Sequence, residues 1–558
     1  MVALRFVRLA APAAVLAIAV CAPTTVAQAD ASMPNPSFSP DENQPNDNQV
    51  TLGKFLFWEE QISSDNTMAC GTCHIHEAGG SDPRTVTGNH PGPDGLFGTD
   101  DDVGGSAGVV SQNIVGKFAD DGSPFFPHVG VTGRRAPTSI NAGGGFDALF
   151  WDGRATGEFA DPVSGETLIF FGGGLESQAA GPPLSTTEMG AVDETWTDIA
   201  NKIVTVKPMA LGTDIPDEMV DFQEDFPDYP AMFNAAYGSP EITPVKIIYA
   251  IANYERTLVS DQTPFDVEVL LGGGTMSDPD LEAGHQLFKS TTANCTSCHV
   301  FPFTANGNFH NIGVTDETID PGRSEITLDP ADIGKFKTPN IRNAVLRTPL
   351  FHDGSAQTVR EVVEFYSDGG DFANANLDPD IEVLDLTEAE IDLLVNFIEV
   401  GLTDPRVANR EFPFTRPTLH SELESSNTVY GTPGLSGTGT TMDVIATVPA
   451  NIGNPNLLMG VANATPNEIA SLAMAWNDAD GAPFPDPRFP VPMNVDAASI
   501  FNIITSSTDP DGVATAKINV PLETSLQGLK FYWQMFVSDA LAGSGGVYGS
   551  EGVEAEIF

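Results

Sequence analysis

Cys70-Gly71-Thr72-Cys73-His74 and Cys295-Thr296-Ser297-Cys298-His299 repeat one pattern, C-x-x-C-H, within a single chain. Two thiols about one helical turn apart can form thioethers with the vinyl groups of a porphyrin. The adjacent histidine then reaches the iron from beneath, which is the chemistry of haem c attachment. At this chain's own Cys and His frequencies, one chance occurrence has a probability of about one in a thousand, so two are a signal. The alternatives are weaker: two-residue disulfide loops repeated with a trailing histidine are odd, and a zinc site needs ligands converging from both motifs. The motif histidines stand 225 positions apart, too far for one small cytochrome and suited to two haem units in tandem. Leu52-Gly53-Lys54-Phe55-Leu56-Phe57 precedes the first motif and Ala283-Gly284-His285-Gln286-Leu287-Phe288 the second, a weak internal repeat of G-x-x-L-F.

Working outward, the N-terminus carries Arg5 and Arg8, an apolar stretch from Leu9 to Val20, and the small-x-small sequence Ala27-Gln28-Ala29. Residues 1–29 therefore read as a signal peptide, and the mature protein as periplasmic or secreted. Cys21 does not make a lipoprotein signal, because Val20 stands where a small residue is wanted. It is lost with the leader, and the four remaining cysteines all belong to the two motifs. No later run reaches the roughly 18 apolar residues of a spanning helix. Hydrophobic residues make up 41% and charged ones 18% of the 558 residues, which excludes a disordered, collagen-like or coiled-coil chain. Twenty-five Lys+Arg against 76 Asp+Glu leave a net charge of −51. That balance argues against nucleic acid as a partner and favours a cationic one, with solubility in salty surroundings as the alternative explanation.

The regions around the motifs are expected to be mainly α. Thr243 and Pro244 start a helix through Ile247, Ile248, Ile251 and Leu258. Thr387 and Glu390 form a capping box for another, with Ile391, Leu394, Val395 and Ile398 on one face and a stop at Gly401. After about residue 420 there is no Cys, and Gly, Pro, Ser and Thr separate short β-rich runs. Leu529, Phe531, Trp533, Met535 and Val537 alternate with Lys530, Tyr532, Gln534 and Ser538, the period of a half-buried strand. The expected architecture is two tandem class I cytochrome c-like haem domains, 30–260 and 261–420, and a C-terminal β-rich, sandwich-like domain over 421–558.

From Leu52 to about Arg416 the chain resembles the bacterial di-haem cytochrome c peroxidase and MauG superfamily. Beyond the haem motifs, the resemblance rests on Gly133-Arg134-Arg135-Ala136-Pro137-Thr138 with Asn141, on Phe150-Trp151-Asp152-Gly153-Arg154, on Gln178 with Gly181-Pro182, and on Glu188-Met189. Phe336-Lys337-Thr338-Pro339, Arg342-Asn343 and Phe351-His352-Asp353-Gly354 then follow the second motif in the family's order. The resemblance implies two covalently bound haem c groups and reduction of hydrogen peroxide to water at the first. Electrons would come from a small cytochrome c or copper protein and enter through the second. It makes Cys70, Cys73, Cys295 and Cys298 the attachment points and His74 and His299 the proximal iron ligands. Glu188 becomes the catalytic acid-base group, with Gln178 beside it, and Trp151 the aromatic between the haems. A dimer is a further implication, since family members often form one.

Some positions depart from that pattern. His90 follows His74 by 16 residues, the interval at which the family's peroxidases place a second iron ligand that reduction of the other haem releases. It reads equally as a loop histidine before the acidic stretch around Asp94 and Asp100 to Asp102. No methionine occurs between His299 and Met442; the family's ligand position holds Tyr366, as in MauG, inside a helix opened by a Thr358/Glu361 capping box. A phenolate favours ferric and higher states; the alternative is a tyrosine packed beside a five-coordinate haem. Calcium is a further candidate: Arg135 and Arg347 occupy two of the family's ligand positions, although Pro349 remains and backbone carbonyls could still bind an ion. The acidic stretch does not have EF-hand spacing and reads as a solvated turn. The insertion from Ala155 to Gly174 is expected near the distal pocket, and His76 is expected at the surface. Three readings follow: a di-haem peroxidase, a MauG-like oxidase of a partner protein, and a non-catalytic di-haem electron carrier.

Overall fold

The structure, a computed structural model, describes residues 38–557 apart from 85–89, 91–101, 121–124, 145–147, 424–426, 452–453, 455–456, 484–491, 522–523 and 543–545. The leader and most of the acidic stretch, Asp94, Asp100 and Asp101 included, lie outside the described residues.

Helix α1 (Asp47–Phe57) precedes the first motif and starts at Asn46, which exchanges side-chain caps with Gln49. It crosses α2 (Pro244–Glu255), whose N-cap is Thr243 and whose first residue is Pro244, as expected from the sequence. The crossing is close because Gly53 has no side chain: a Cβ there would overlap the Ala250 carbonyl oxygen. Leu52, Phe55 and Leu56 thereby pack on Ile247, Ile248 and Ile251, all fully buried, at the centre of the first apolar core.

Helix α3 (Pro279–Phe288) precedes the second motif, and α4 (Val359–Asp368) and α5 (Glu388–Asn396) follow it. Both of the expected capping boxes, Thr358/Glu361 and Thr387/Glu390, are formed. Here α3 crosses α5, and a Cβ on Gly284 would overlap the Leu393 carbonyl oxygen. The G-x-x-L-F repeat therefore has one physical basis in both places: a glycine that lets the helix before the motif press its backbone against a later helix. Phe288, Val363, Ile391, Leu394 and Phe397 form the second core.

Between first motif and α2 the chain makes small antiparallel pairs. β1 (Ala107–Val110) pairs with β4 (Val129–Val131), and β2 (Gln112–Asn113) with β3 (Lys117–Phe118). The C-terminal region is sheet-rich, with strands β5 (Asn427–Tyr430), β6 (Asp443–Ile445), β7 (Leu457–Ala462), β8 (Ile469–Ala475), β9 (Ile500–Ser507), β10 (Ala514–Ile518), β11 (Lys530–Ser538) and β12 (Val547–Glu556). One sheet has the order β5-β12-β11-β8-β9 and another β6-β7-β10, all pairs antiparallel. The two sheets share a third core, in which Leu472, Met474, Trp533 and Met535 meet Leu457, Val461 and Ala514. Phe531, Trp533, Met535 and Val537 point inward from β11 as their alternation requires. Gln534, expected on the wet side, is also buried; its amide receives the Asn494 N–H at 2.8 Å and donates to the Ser550 carbonyl at 2.7 Å. This core extends to Val110 and Phe118, and the Phe118 N–H donates to Thr515 Oγ1 at 3.0 Å.

Candidate functional site: two cavities with a common wall

The first motif forms a short helix, Cys70–Cys73, tucked under Trp58 so closely that a Cβ on Gly71 would enter the indole ring. His74 Nδ1 lies 3.1 Å from the Gly80 carbonyl oxygen, and His299 Nδ1 lies 2.9 Å from that of Thr304. A carbonyl at that distance fixes the tautomer with the proton on Nδ1, which leaves the Nε2 lone pair for a metal. Burial also pushes both imidazoles down, His299 to about 4, so they stay neutral at physiological pH, the form that ligates iron. The four cysteines form no disulfide and their sulfurs face the same spaces as these histidines. Donor set, tautomer and enclosure therefore fit a haem at each motif.

A cavity of about 510 Å³ is lined by Cys70, Cys73, His74, His90, Gln178 and Glu188. A second, of about 280 Å³, is lined by Cys295, Cys298, His299 and Tyr366. The two have a wall in common, to which His74, Arg135, Trp151, Gln178 and Glu255 contribute. The sequence-derived site residues are thus all brought to these two cavities. The Ala155–Gly174 stretch lines neither; its Phe159 and Ile169 are buried in the first core instead.

Glu188 sits in a turn whose main-chain N–H donates to the Ser185 carbonyl at 3.1 Å. Burial pushes its carboxyl above the ordinary range, while the Ser185 hydroxyl and the Arg154 charge act the other way. The turn is backed by glycines. A Cβ on Gly108 of β1 would stand 2.6 Å from the Glu188 carbonyl oxygen and 2.8 Å from its Cα, and one on Gly130 of β4 would stand 3.0 Å from Thr187 Cα. Across the cavity, Arg154 stacks on Phe150 with 3.6 Å from guanidinium to ring centre, and pairs with Asp152 at 2.9 Å.

Trp151 joins the halves of the site. Its indole N–H donates to the Arg135 carbonyl at 2.8 Å, and its own carbonyl receives the Lys337 N–H at 2.8 Å. His90 stands on the wall of the larger cavity, its Nε2 3.6 Å from where a Gly133 Cβ would be, and its main chain pairs with Val103. The Tyr366 hydroxyl makes no hydrogen bond among the described residues, and burial pushes it well above its ordinary range.

Two residues escaped the sequence reading. Glu255, at the end of α2, faces both cavities with Oε2 unpaired, and burial pushes its carboxyl to about 8. Nothing in Tyr254-Glu255-Arg256 separates it from an exposed acid until α2 is packed. His76 is the reverse of its surface assignment: it is fully buried against Trp58, with Nδ1 2.9 Å from the Phe414 carbonyl oxygen. The reason is the chain after Thr403, which folds back over the first motif.

Paired motif cavities, each with an enclosed histidine whose Nε2 is free, fit a protein with two haem sites. Residues 47–272 match the family described as di-haem cytochrome c peroxidase. Cytochrome c551 peroxidase of Nitrosomonas europaea is 28% identical over 57% of this chain and 72% of its own length. Methylamine utilization protein MauG of Methylophilus methylotrophus is 26% identical over 63% of this chain and 81% of its own. Among solved structures, a MauG-like protein associated with microbial copper homeostasis aligns over 68% of this chain and 95% of that one, with 25% identity and a TM-score of 0.49. Over these residues the chain is similar to the di-haem cytochrome c peroxidases and to MauG.

Proposed function

We propose that this protein is an exported di-haem peroxidase that reduces hydrogen peroxide to water with electrons from a small cationic redox protein. Haem c, held through Cys70 and Cys73 at His74 and through Cys295 and Cys298 at His299, would supply the iron chemistry. The observation that carries the reading is Glu188: a carboxyl raised by burial in the same enclosed space as His74. A group of that kind can take a proton from bound peroxide and return it to the departing oxygen. Gln178 and Arg154 offer donors that orient the substrate beside it. Trp151, on the common wall, shortens the path for electrons. The net charge of −51 would steer a cationic donor, and His90, on the wall of the larger cavity, would be the ligand that reduction displaces.

The test is peroxide-dependent oxidation of a reduced cytochrome c or copper protein by the haem-loaded enzyme, with Glu188→Gln alongside. Loss of an acid-base group predicts a fall of about 10²- to 10⁴-fold in turnover. Tyr366 favours a second reading, a MauG-like oxidase of a partner protein. Its signature is peroxide consumed to give a long-lived oxidised enzyme with no donor turnover. A protein inert to peroxide would be an electron carrier. Mass spectrometry of the mature protein tests removal of residues 1–29 and haem addition together, and sedimentation tests the dimer.

A further inference from the structure

The wall between the cavities carries more positive charge than its protein neighbours compensate. Arg135 is 4% exposed and faces both cavities, and Arg347 faces the smaller one. Neither forms an ion pair with any carboxylate among the described residues, although Glu255, Asp380 and Glu382 line the same space. Arg135 donates to the Asp82 carbonyl at 2.7 Å, and Arg347 to the carbonyls of Arg342, at 3.2 Å, and Asn340. Each guanidinium has five N–H donors in a rigid fork, so most remain for a ligand. Both are held in place by backbone without side chains. A Cβ on Gly354 would stand 3.0 Å from Arg135 Cδ, and one on Gly79 3.2 Å from Arg347 Cβ.

Burial lowers both arginines, Arg347 to about 10 with Arg135 repelling it. The Asp82 charge acts the other way on Arg135, but its carboxylate is paired with Arg84 and, among the described residues, none pairs with Arg347, so two like charges kept together out of water gain from a further anion. Haems held at His74 and His299 would supply such anions through their propionate carboxylates, and Arg135 and Arg347 line the spaces those haems would fill. A calcium ion does not fit here. It needs six to eight oxygen ligands, whereas two of the positions where the resemblance expects oxygens carry guanidinium groups that repel it.

We propose that Arg135 and Arg347 are a fixed cation pair that receives the haem carboxylates at the common wall and stands in for a bound divalent ion. This rests on the reading of two haem sites, which a pyridine haemochrome count of two per chain checks separately. On the EGTA-treated holoenzyme, calorimetry with calcium chloride is expected to show no binding, and spectra and midpoint potentials stay unchanged on adding the ion. Positive charge beside a haem favours its reduced form, so Arg135→Gln and Arg347→Gln shift midpoint potentials negative in a redox titration, and Arg135→Lys and Arg347→Lys bring them back. Stoichiometric calcium binding with a spectral change in the wild type overturns the proposal. So do Gln variants with two haems and wild-type potentials. The calcium arm needs no variant and decides the matter should the Gln variants fail to load haem.

Discussion

Gly108→Ala is the most direct probe of how Glu188 is held, because it adds one methyl group behind the turn and removes nothing. The added Cβ overlaps the Thr187 carbonyl oxygen and stands 2.6 Å and 2.8 Å from the Glu188 carbonyl oxygen and Cα, whereas ordinary contact begins at 3.4 Å. The Thr187–Glu188 backbone then has to retreat, by roughly 0.6 to 0.8 Å at Glu188 and about 1.4 Å at the Thr187 carbonyl, because the other side of β1 is held by its pairing with β4. Overpacking of this kind costs about 1–3 kcal/mol, which a protein of this size survives. Misplacing a catalytic group by about 1 Å costs on the order of 10²-fold. The expected result is peroxide turnover lowered by about 10²-fold in a variant that carries two haems and keeps a wild-type spectrum at the His299 haem. Stopped-flow mixing with peroxide isolates the step. Turnover within about threefold of wild type would refute the view that β1 positions the carboxylate.

Tyr366→Met replaces a phenol with a thioether, which raises the potential of the haem it ligates, so a redox titration of the His299 haem should move positive; an unchanged potential would make Tyr366 a packing residue only. Catalytic efficiency with a cationic donor should fall steeply as salt rises from 0.01 to about 0.15 M, since the Debye length shrinks from about 30 to 8 Å, and a salt-independent rate would remove the charge argument. Glu60 is buried with its carboxylate receiving the N–H groups of His420 and Ser421 at 2.8 and 2.9 Å, yet burial, the largest effect, pushes it to about 8. A raised value means the neutral form is favoured in the fold. Its contribution is full below the unfolded value of roughly 4.3 and is lost as pH rises through about 8. Glu60→Gln should therefore flatten the decline of Tm across that window, and an unchanged slope would place the decline elsewhere.

Chemistry that depends on neighbours in sequence was legible; chemistry that depends on neighbours in space was not. C-x-x-C-H is complete within five residues, and the caps at Thr243, Thr358 and Thr387 each need only the next three or four, so these could be read directly. The β11 alternation located the inward face, but it missed Gln534, whose burial depends on Asn494 and Ser550 arriving from other strands. His76 was misplaced because the segment that covers it, around Phe414, lies 338 residues further on. Glu255 and Gly108 carry no local mark at all. One is an acid among 76, and the other a glycine among 54, each made special by what packs against it.

That dependence on distant packing also bears on the C-terminal sheets. Val110 closes β1, two residues beyond Gly108, and is buried in the core that β7, β8, β10 and β11 build. Phe118 of β3 enters the same core, and a Cβ on Gly460 of β7 would stand 2.6 Å from its ring. β2 ties this unit back to the site: the Gln112 carbonyl receives the Val192 N–H at 2.7 Å, and the Gln112 amide donates to Ser64 at 2.7 Å. The sheet-rich region is thus continuous through the β1–β4 segment with the turn that carries Glu188. A strand pair as short as β2–β3 is marginal in water by itself. Its apolar residues gain a defined place only when the sheets cover them, so the turn that carries Glu188 is tied to strands more than 300 positions after β3 in sequence.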